Sequence, residues 1–277
     1  MKKIILHTEE DFKGMRIAGN LAAKTLDMIE EFIKPGVTTN ELDKICSDFI
    51  EKNGGISAPL GYRGFPKSVC TSVNHVVCHG VPSDQKLTDG DIINIDVTPI
   101  VNSWHGDSNR TFFVGESFQN NPKTIKAKRL TKVTYESMMK AIGAIKPGVK
   151  LSELGKIIQK HVQHHGFTVT RDFCGHGIGT EFHTEPQVPH YYGEDVAGYT
   201  DSITLQEGMF FTVEPMINAG TWEVLVSRLD NWTVTTRDKQ LSAQFEHTIG
   251  VTKNGCEIFT LSPLGRHYPS ILDDFKV

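Results

Sequence analysis

Four carboxylates sit in apolar, strand-like company that offers them no cation. In Ile93-Asn94-Ile95-Asp96-Val97-Thr98 the alternation of a strand puts Asn94 and Asp96 on one face and Ile93, Ile95 and Val97 on the other. Asp107 follows across a reversal centred between Val101 and Asn102, a register that sets the two aspartates directly opposite each other. Opposed residues have Cβ atoms about 5 Å apart, and like charges there destabilise a hairpin unless something positive lies between them. Phe211-Thr212-Val213-Glu214-Pro215 repeats the arrangement with Thr212 and Glu214 on one face, and Gln244-Phe245-Glu246-His247-Thr248 puts Glu246 beside Gln244 and Thr248. Two divalent cations would neutralise the four acids, and an oxygen-rich set completed by a histidine suits Mn, Fe, Co or Zn. His176 is the natural candidate, because the glycines of Cys174-Gly175-His176-Gly177-Ile178-Gly179 let the backbone approach closely and aim the imidazole. His79, in Cys78-His79-Gly80, is the other histidine beside a glycine, while His183 lies too far from His176 for a one-turn helical zinc pair. His7, His161, His164, His165 and His267 read as ordinary surface residues.

The elements that must position these acids occur twice. Lys34-Pro35-Gly36-Val37, followed by Glu41-Leu42 and Gly54, returns 112 positions later as Lys146-Pro147-Gly148-Val149, Glu153-Leu154 and Gly166. Leu87 to Asp96 returns 118 positions later as Leu205 to Glu214, each copy ending on an acid. Two matches in the same order at nearly equal offset indicate an internal duplication, and with only two copies it gives paired halves rather than a solenoid. Equivalent residues of symmetric halves face one another, so Asp96 and Glu214 should meet near the axis.

Helical spacing of Phe12, Met15, Ala18, Leu21, Ala22, Leu26, Ile29 and Phe32 predicts a first helix capped by Thr8. A second runs from about Thr38, with Glu41 completing a capping box, to a stop at Gly54, and its copy runs from near Lys150 to Gly166. Strand patterns cover Ile92 to Ile100, Thr111 to Val114, Met209 to Val213 and Gln244 to Val251, giving an α+β plan with mostly antiparallel sheet. A length of 277 residues can bury roughly three quarters of the unfolded surface, which excludes disorder as the main state. The formal charge of −4 leaves no footprint for nucleic acid or an anionic membrane. Five cysteines without Cys-x-x-Cys spacing read as reduced thiols, and the polar N-terminus lacks an export signal, so a cytoplasmic protein is expected.

Together these phrases resemble the methionine aminopeptidases, in their short bacterial type I form. The similarity runs from the first helix through Glu246 to Asn254-Gly255-Cys256-Glu257, and its most specific piece is Cys174 to Tyr191, with Gly175-His176-Gly177, His183, Val188 and His190-Tyr191. Neither the helical insertion of the type II enzymes nor the zinc-binding amino-terminal extension of some type I relatives is expected here. The resemblance implies the pita-bread fold: a single catalytic domain over residues 1–277 whose halves, about 8–115 and 122–253, enclose a dinuclear metal site. The implied ligands are Asp96, Asp107, His176, Glu214 and Glu246. Asp107 and Glu246 would bridge both ions, Asp96 would chelate one, and His176 with Glu214 would complete the other.

The implied reaction is metal-assisted hydrolysis of the first peptide bond. Glu214 would shuttle a proton, His183 would stabilise the oxygen of the tetrahedral intermediate, and His79 would contact the scissile amide nitrogen. The resemblance puts Tyr62, Phe65, Cys70, Phe182 and Trp232 around the methionine side chain, aromatic faces and sulfur that suit a thioether. Pro59, Arg63, Phe65 and His75 depart from the commoner family residues, a cysteine, a histidine, a tyrosine and an acid, which bears on the pocket rim. Expected substrates are nascent polypeptide amino termini with a small second residue, met by a monomer, with ribosome contact open. Lys2 is not small, so the protein should keep its own Met1. Rival readings are a proline-selective aminopeptidase or a catalytically silent peptide-binding module of the same fold, and a dinuclear phosphoesterase prompted by His105-Gly106-Asp107.

Overall fold

The first helix, Glu9–Ile29, begins where Thr8 donates its backbone N–H and its hydroxyl to Asp11 Oδ2 at 2.7 and 2.9 Å. These bonds belong to a computed structural model that describes residues 3–121, 124–273 and 275; Met1 and Lys2, on which the expectation about the initiator rests, lie outside the described residues, as does Pro122 at the edge of the second half. Thr39–Lys52 carries the second expected capping box, with Glu41 N–H donating to Thr38 Oγ1 at 3.1 Å and Thr38 N–H to Glu41 Oε2 at 2.7 Å. A cap of this kind stabilises a helix by about 1 kcal/mol. The later copy, Ser152–His164, has Leu151 at the same place and no side-chain cap. Phe32 departs from the expected buried stripe: the helix tightens to a 3₁₀ turn over Glu30–Phe32, which shifts the period and leaves Phe32 39% exposed.

The duplication is visible in hydrogen bonds. Gly36 N–H donates to Leu87 O at 2.8 Å and Gly148 N–H to Leu205 O at 2.9 Å, while Leu87 N–H and Leu205 N–H return bonds to Val37 O and Val149 O at 2.8 Å each. Thr38 bridges Lys86 in one half and Lys150 bridges Thr204 in the other. Gly36 and Gly148 both take left-handed backbone, at φ 92° and 89°, the conformation that makes glycine the fitting residue after Lys-Pro.

All strand pairs among the described residues are antiparallel. In the first half Ile92–Val97 lies between Cys70–Val73 and Ser108–Phe113. In the second, Phe210–Val213 lies between Gly175–Gly177 and His247–Val251, within a five-stranded sheet that continues to Thr184–Val188 and Cys256–Ile258. Ile93, Ile95 and Val97 pack under the first helix with Leu26, Ile29 and Leu42, as the alternation predicts. The helices Ile125–Ile142 and Ser152–His164 cover the second half, whose core includes Leu130, Leu154, Ile158, Phe211 and Phe245. This is the pita-bread plan, two related halves with antiparallel sheet inside and helices outside.

Two strand expectations need correction. Ile92 to Ile100 is broken at Thr98, and Gln244 to Val251 is broken at Phe245 and Glu246, so the acids stand at or beside the breaks. The hairpin register also differs by two residues. Asp96 pairs with Asn109, not Asp107, because the reversal falls at Asn102 and Ser103, both in left-handed backbone. A shift of two keeps Asp107 on the face expected for it, since side chains alternate with period two.

Candidate metal centre

The five predicted ligands converge on the floor of one cavity of about 530 Å³. Asp107, His176 and Glu246 each offer a donor atom within 4.8 Å of the others. His176 Nε2 lies 3.4 Å from Asp107 Oδ2 and 3.7 Å from Glu214 Oε1. His176 Nδ1 faces Gly177 O at 3.1 Å, so the proton belongs on Nδ1 and the Nε2 lone pair points at the acids.

Neutral polar groups hold Asp107, Glu214 and Glu246 in place. Thr98 Oγ1 donates to Asp107 Oδ1 at 2.7 Å, and Asn109 Nδ2 donates to Glu246 Oε2 at 2.8 Å while accepting from Asn94. Thr212 Oγ1 donates to Glu214 Oε1 at 2.7 Å and accepts His176 N–H at 3.0 Å, and Gln244 Nε2 reaches Glu214 Oε2 at 3.2 Å. Glu214 N–H donates to His190 Nε2 at 3.0 Å, which requires a neutral His190; burial holds that imidazole down at about 3.

Among the described residues Arg63 is the one lysine or arginine in the cavity lining, it stands against Tyr62 rather than the acids, and the charges repel. Burial first, then the neighbouring Asp107 and Glu214 charges, push the Asp96 carboxyl well above the usual range. Glu246 is raised well by burial and by Asp107, Glu214 and Asp96. Burial pushes Glu214 up to about 7 against the opposing pull of His176. For His176 burial works downward, but the Asp107 contact and the Glu214 charge outweigh it and the net shift is upward. Asp96 Oδ1 is buried without any hydrogen-bond partner. An orphaned carboxylate oxygen among mutually raised acids, with an imidazole nitrogen aimed at them, is the donor set that a divalent cation satisfies.

Above this floor Tyr62, Phe65, Cys70, Phe182 and Trp232 all line the cavity, together with His79 and His183. Phe65 meets Trp232 edge-on at 5.2 Å, Tyr62 lies 4.9 Å from Phe182, and the His183 ring stacks on Tyr62 at 5.2 Å and lies tilted against His176 at 4.1 Å. Burial holds His79 at about 4 and His183 at about 3, so both are neutral near pH 7. His79 takes left-handed backbone at φ 54°, a strain of about 1–3 kcal/mol for a side-chain-bearing residue. The next residue explains how it persists: Gly80 O accepts Thr71 N–H at 2.8 Å, and a Cβ on Gly80 would lie 2.0 Å from Thr71 O.

Among the departures, Pro59, Arg63 and Phe65 line the cavity, and the Arg63 guanidinium lies 5.3 Å over the Tyr62 ring. His75 is not in the lining; its carbonyl accepts Thr236 N–H at 2.9 Å. Sequence reasoning missed Asn109 as the holder of Glu246 and Thr98 as the partner of Asp107. Their signal was present, since Thr98 stands two residues from Asp96 and Asn109 two from Asp107, each on the face of a predicted acid, but assigning their partners required the true register. Asp172, Glu185 and Met216 also line the cavity without having been singled out. The outer histidines divide: His164 is exposed, whereas His7 stacks on Phe210 at 4.1 Å and His161 is half-buried.

The sequence profile described as Metallopeptidase family M24 matches residues 13–253. Methionine aminopeptidase from Rickettsia prowazekii (strain Madrid E) is 56% identical over 266 residues, covering 96% of this chain and 98% of the relative. The crystal structure of methionine aminopeptidase from Rickettsia prowazekii superposes with a TM-score of 0.88, over 94% of this chain and 100% of that one at 56% identity. That of methionine aminopeptidase from Thermotoga maritima gives a TM-score of 0.86 at 37% identity, over 93% of this chain and 99% of that one.

Proposed function

The protein belongs to metallopeptidase family M24 and, within it, to the bacterial type I methionine aminopeptidases, and from that premise we propose how its residues carry out metal-dependent removal of an amino-terminal methionine. The observation that carries the assignment is the meeting of Asp96, Asp107, His176, Glu214 and Glu246 beneath a pocket of aromatic rings and sulfur. Asp96, Asp107, His176, Glu214 and Glu246 would hold two divalent ions drawn from Mn, Fe, Co or Zn. When bound, such ions supply Lewis acidity toward the scissile carbonyl and bring the pKa of a water toward neutrality.

The chain's own groups do the rest. Glu214, tethered by Thr212 and Gln244, accepts the proton of the attacking water and passes it toward the leaving amine. Neutral His183 donates to the substrate carbonyl oxygen as negative charge develops there, and neutral His79 contacts the scissile amide nitrogen. Tyr62, Phe65, Cys70, Phe182 and Trp232 receive the methionine side chain and exclude water from it. The substrates are nascent polypeptide amino termini with a small second residue, met in the cytoplasm by a monomer, with contact to the ribosome left open. A single catalytic domain over residues 1–277, with halves of about 8–115 and 122–253, completes it.

The test is release of methionine from Met-Ala-Ser and Met-Lys-Ser peptides by metal-stripped protein, with Mn, Fe, Co or Zn restored in turn. Metal-dependent cleavage of the first peptide alone is the expected result. Metal binding without cleavage of either peptide would overturn the proposal.

A further inference from the structure

The outer helices of the second half carry three side chains that the catalytic reading leaves unused. His161 and His165 stand four positions apart at the end of Ser152–His164, which puts both imidazoles on one face. Glu136 faces them from the neighbouring helix Ile125–Ile142. His161 Nε2 lies 3.2 Å from Glu136 Oε2, the two imidazole rings lie 4.8 Å apart, and one donor atom from each residue falls within 4.8 Å of the others. The His161 side chain is only 13% exposed and held by packing, while Glu136, 34% exposed, keeps one side open to solvent.

The spacing can be judged against coordination geometry. Bonds of about 2.0–2.1 Å to a tetrahedral ion set its donor atoms roughly 3.3 Å apart. The 3.2 Å between His161 and Glu136 meets that value, and it is shorter than the 3.4 and 3.7 Å that separate His176 from two acids of the catalytic centre. His165 completes the triad with a donor atom within 4.8 Å of the other two. Burial first, then the charges of neighbouring imidazoles and cations, hold His161 and His165 below the ordinary histidine value, leaving lone pairs free at neutral pH. Lys140 acts on both rings and Arg129 on His165, opposed by the Glu136 carboxylate. Two imidazoles with one carboxylate favour late first-row divalent ions over Mg or Ca.

We propose that Glu136, His161 and His165 form a second metal site, separate from the catalytic centre, which binds one divalent ion of the zinc class and clamps the two outer helices together. Water fills the fourth position. Binding to the folded state alone raises stability in proportion to the logarithm of free metal.

The probe is Zn²⁺ itself. Tightly bound Zn²⁺ per chain is counted by equilibrium dialysis for the intact protein, His165→Ala, His161→Gln and the near-isosteric Glu136→Gln, with methionine release as the measure of an intact fold. The intact protein should bind one Zn²⁺ more than each variant, or bind that ion at least tenfold more tightly, and show a larger rise in Tm on adding Zn²⁺. Methionine release should be unchanged in all three. Equal Zn²⁺ counts and equal Tm shifts in the intact protein and in any variant that keeps its activity would overturn the site.

Discussion

Asp96 and Glu214 occupy equivalent places in the two halves, yet their surroundings differ. Glu214 is tethered through both carboxylate oxygens, by Thr212 and Gln244, and its backbone N–H is taken by His190. Asp96 has one oxygen buried without any partner. Around them the halves repeat the same glycines, the same bridges and the same hydrogen bonds. The backbone frame has stayed symmetric while its polar complement has diverged. One acid keeps a buried oxygen that no group of the chain answers, and the other is tethered on both oxygens, a contrast that suits the separate roles proposed for them.

The sharpest break in that comparison is Asp96→Asn. It keeps the shape and removes the charge that only a cation answers, so kcat/KM should fall at least about 10³-fold, together with metal content measured after dialysis. An active, fully metallated variant would contradict the role given to the bare acid. Thr212→Val should do less. It removes one hydrogen bond from Glu214 and one from the His176 backbone, a loss of about 1–1.5 kcal/mol, and should lower kcat by roughly tenfold with metal retained.

Acidity offers a third comparison. In metal-free protein the folded-state values of Asp96, Glu246 and Glu214 lie above their unfolded ones, Glu214 at about 7. The folded state therefore binds more protons, and the metal-free protein should gain stability as pH falls from about 8 to 6.5. Below about 6.5, buried neutral histidines such as His190 oppose the trend, because unfolding lets them charge. Saturating metal should abolish the gain between pH 8 and 6.5. Denaturant midpoints across that window, with and without metal, decide it, and identical profiles would contradict the electrostatics assigned to the floor.

The smallest effect is the most symmetric. Gly36→Ala and Gly148→Ala place a methyl group in open space on left-handed backbone, so each should cost about 1 kcal/mol and the two costs should agree. Unequal losses would mean that the frames are less alike than their hydrogen bonds indicate.

Much of this architecture was legible in the residues. The capping boxes at Thr8 and Thr38 need only local spacing, and the repeated phrases located the acids within equivalent frames. The hairpin register was not legible, because the positive φ angles of Asn102 and Ser103 depend on how the strands settle, and nothing in Val101-Asn102-Ser103 sets the centre. The Asp27–Arg110 ion pair, at 3.0 Å and almost fully buried, was invisible for a similar reason: it joins the first helix to a strand across a long stretch of chain. His161 and His165 looked like surface residues because their partner Glu136 stands on another helix.

The seam between the halves is packed and hydrogen-bonded along its length. Phe12 and Met15 of the first helix pack with Ile178, Phe210 and Phe259 from the opposite half, and His7 N–H donates to Gly208 O at 2.7 Å. Asn94, Ser108 and Thr111 donate across the same seam to the carbonyls of Gln244 and Glu246. Prising the halves apart would unseat a close-packed apolar cluster and several buried hydrogen bonds together. The protein is thus a vice cast already shut, whose aperture takes its shape from the packing along the seam.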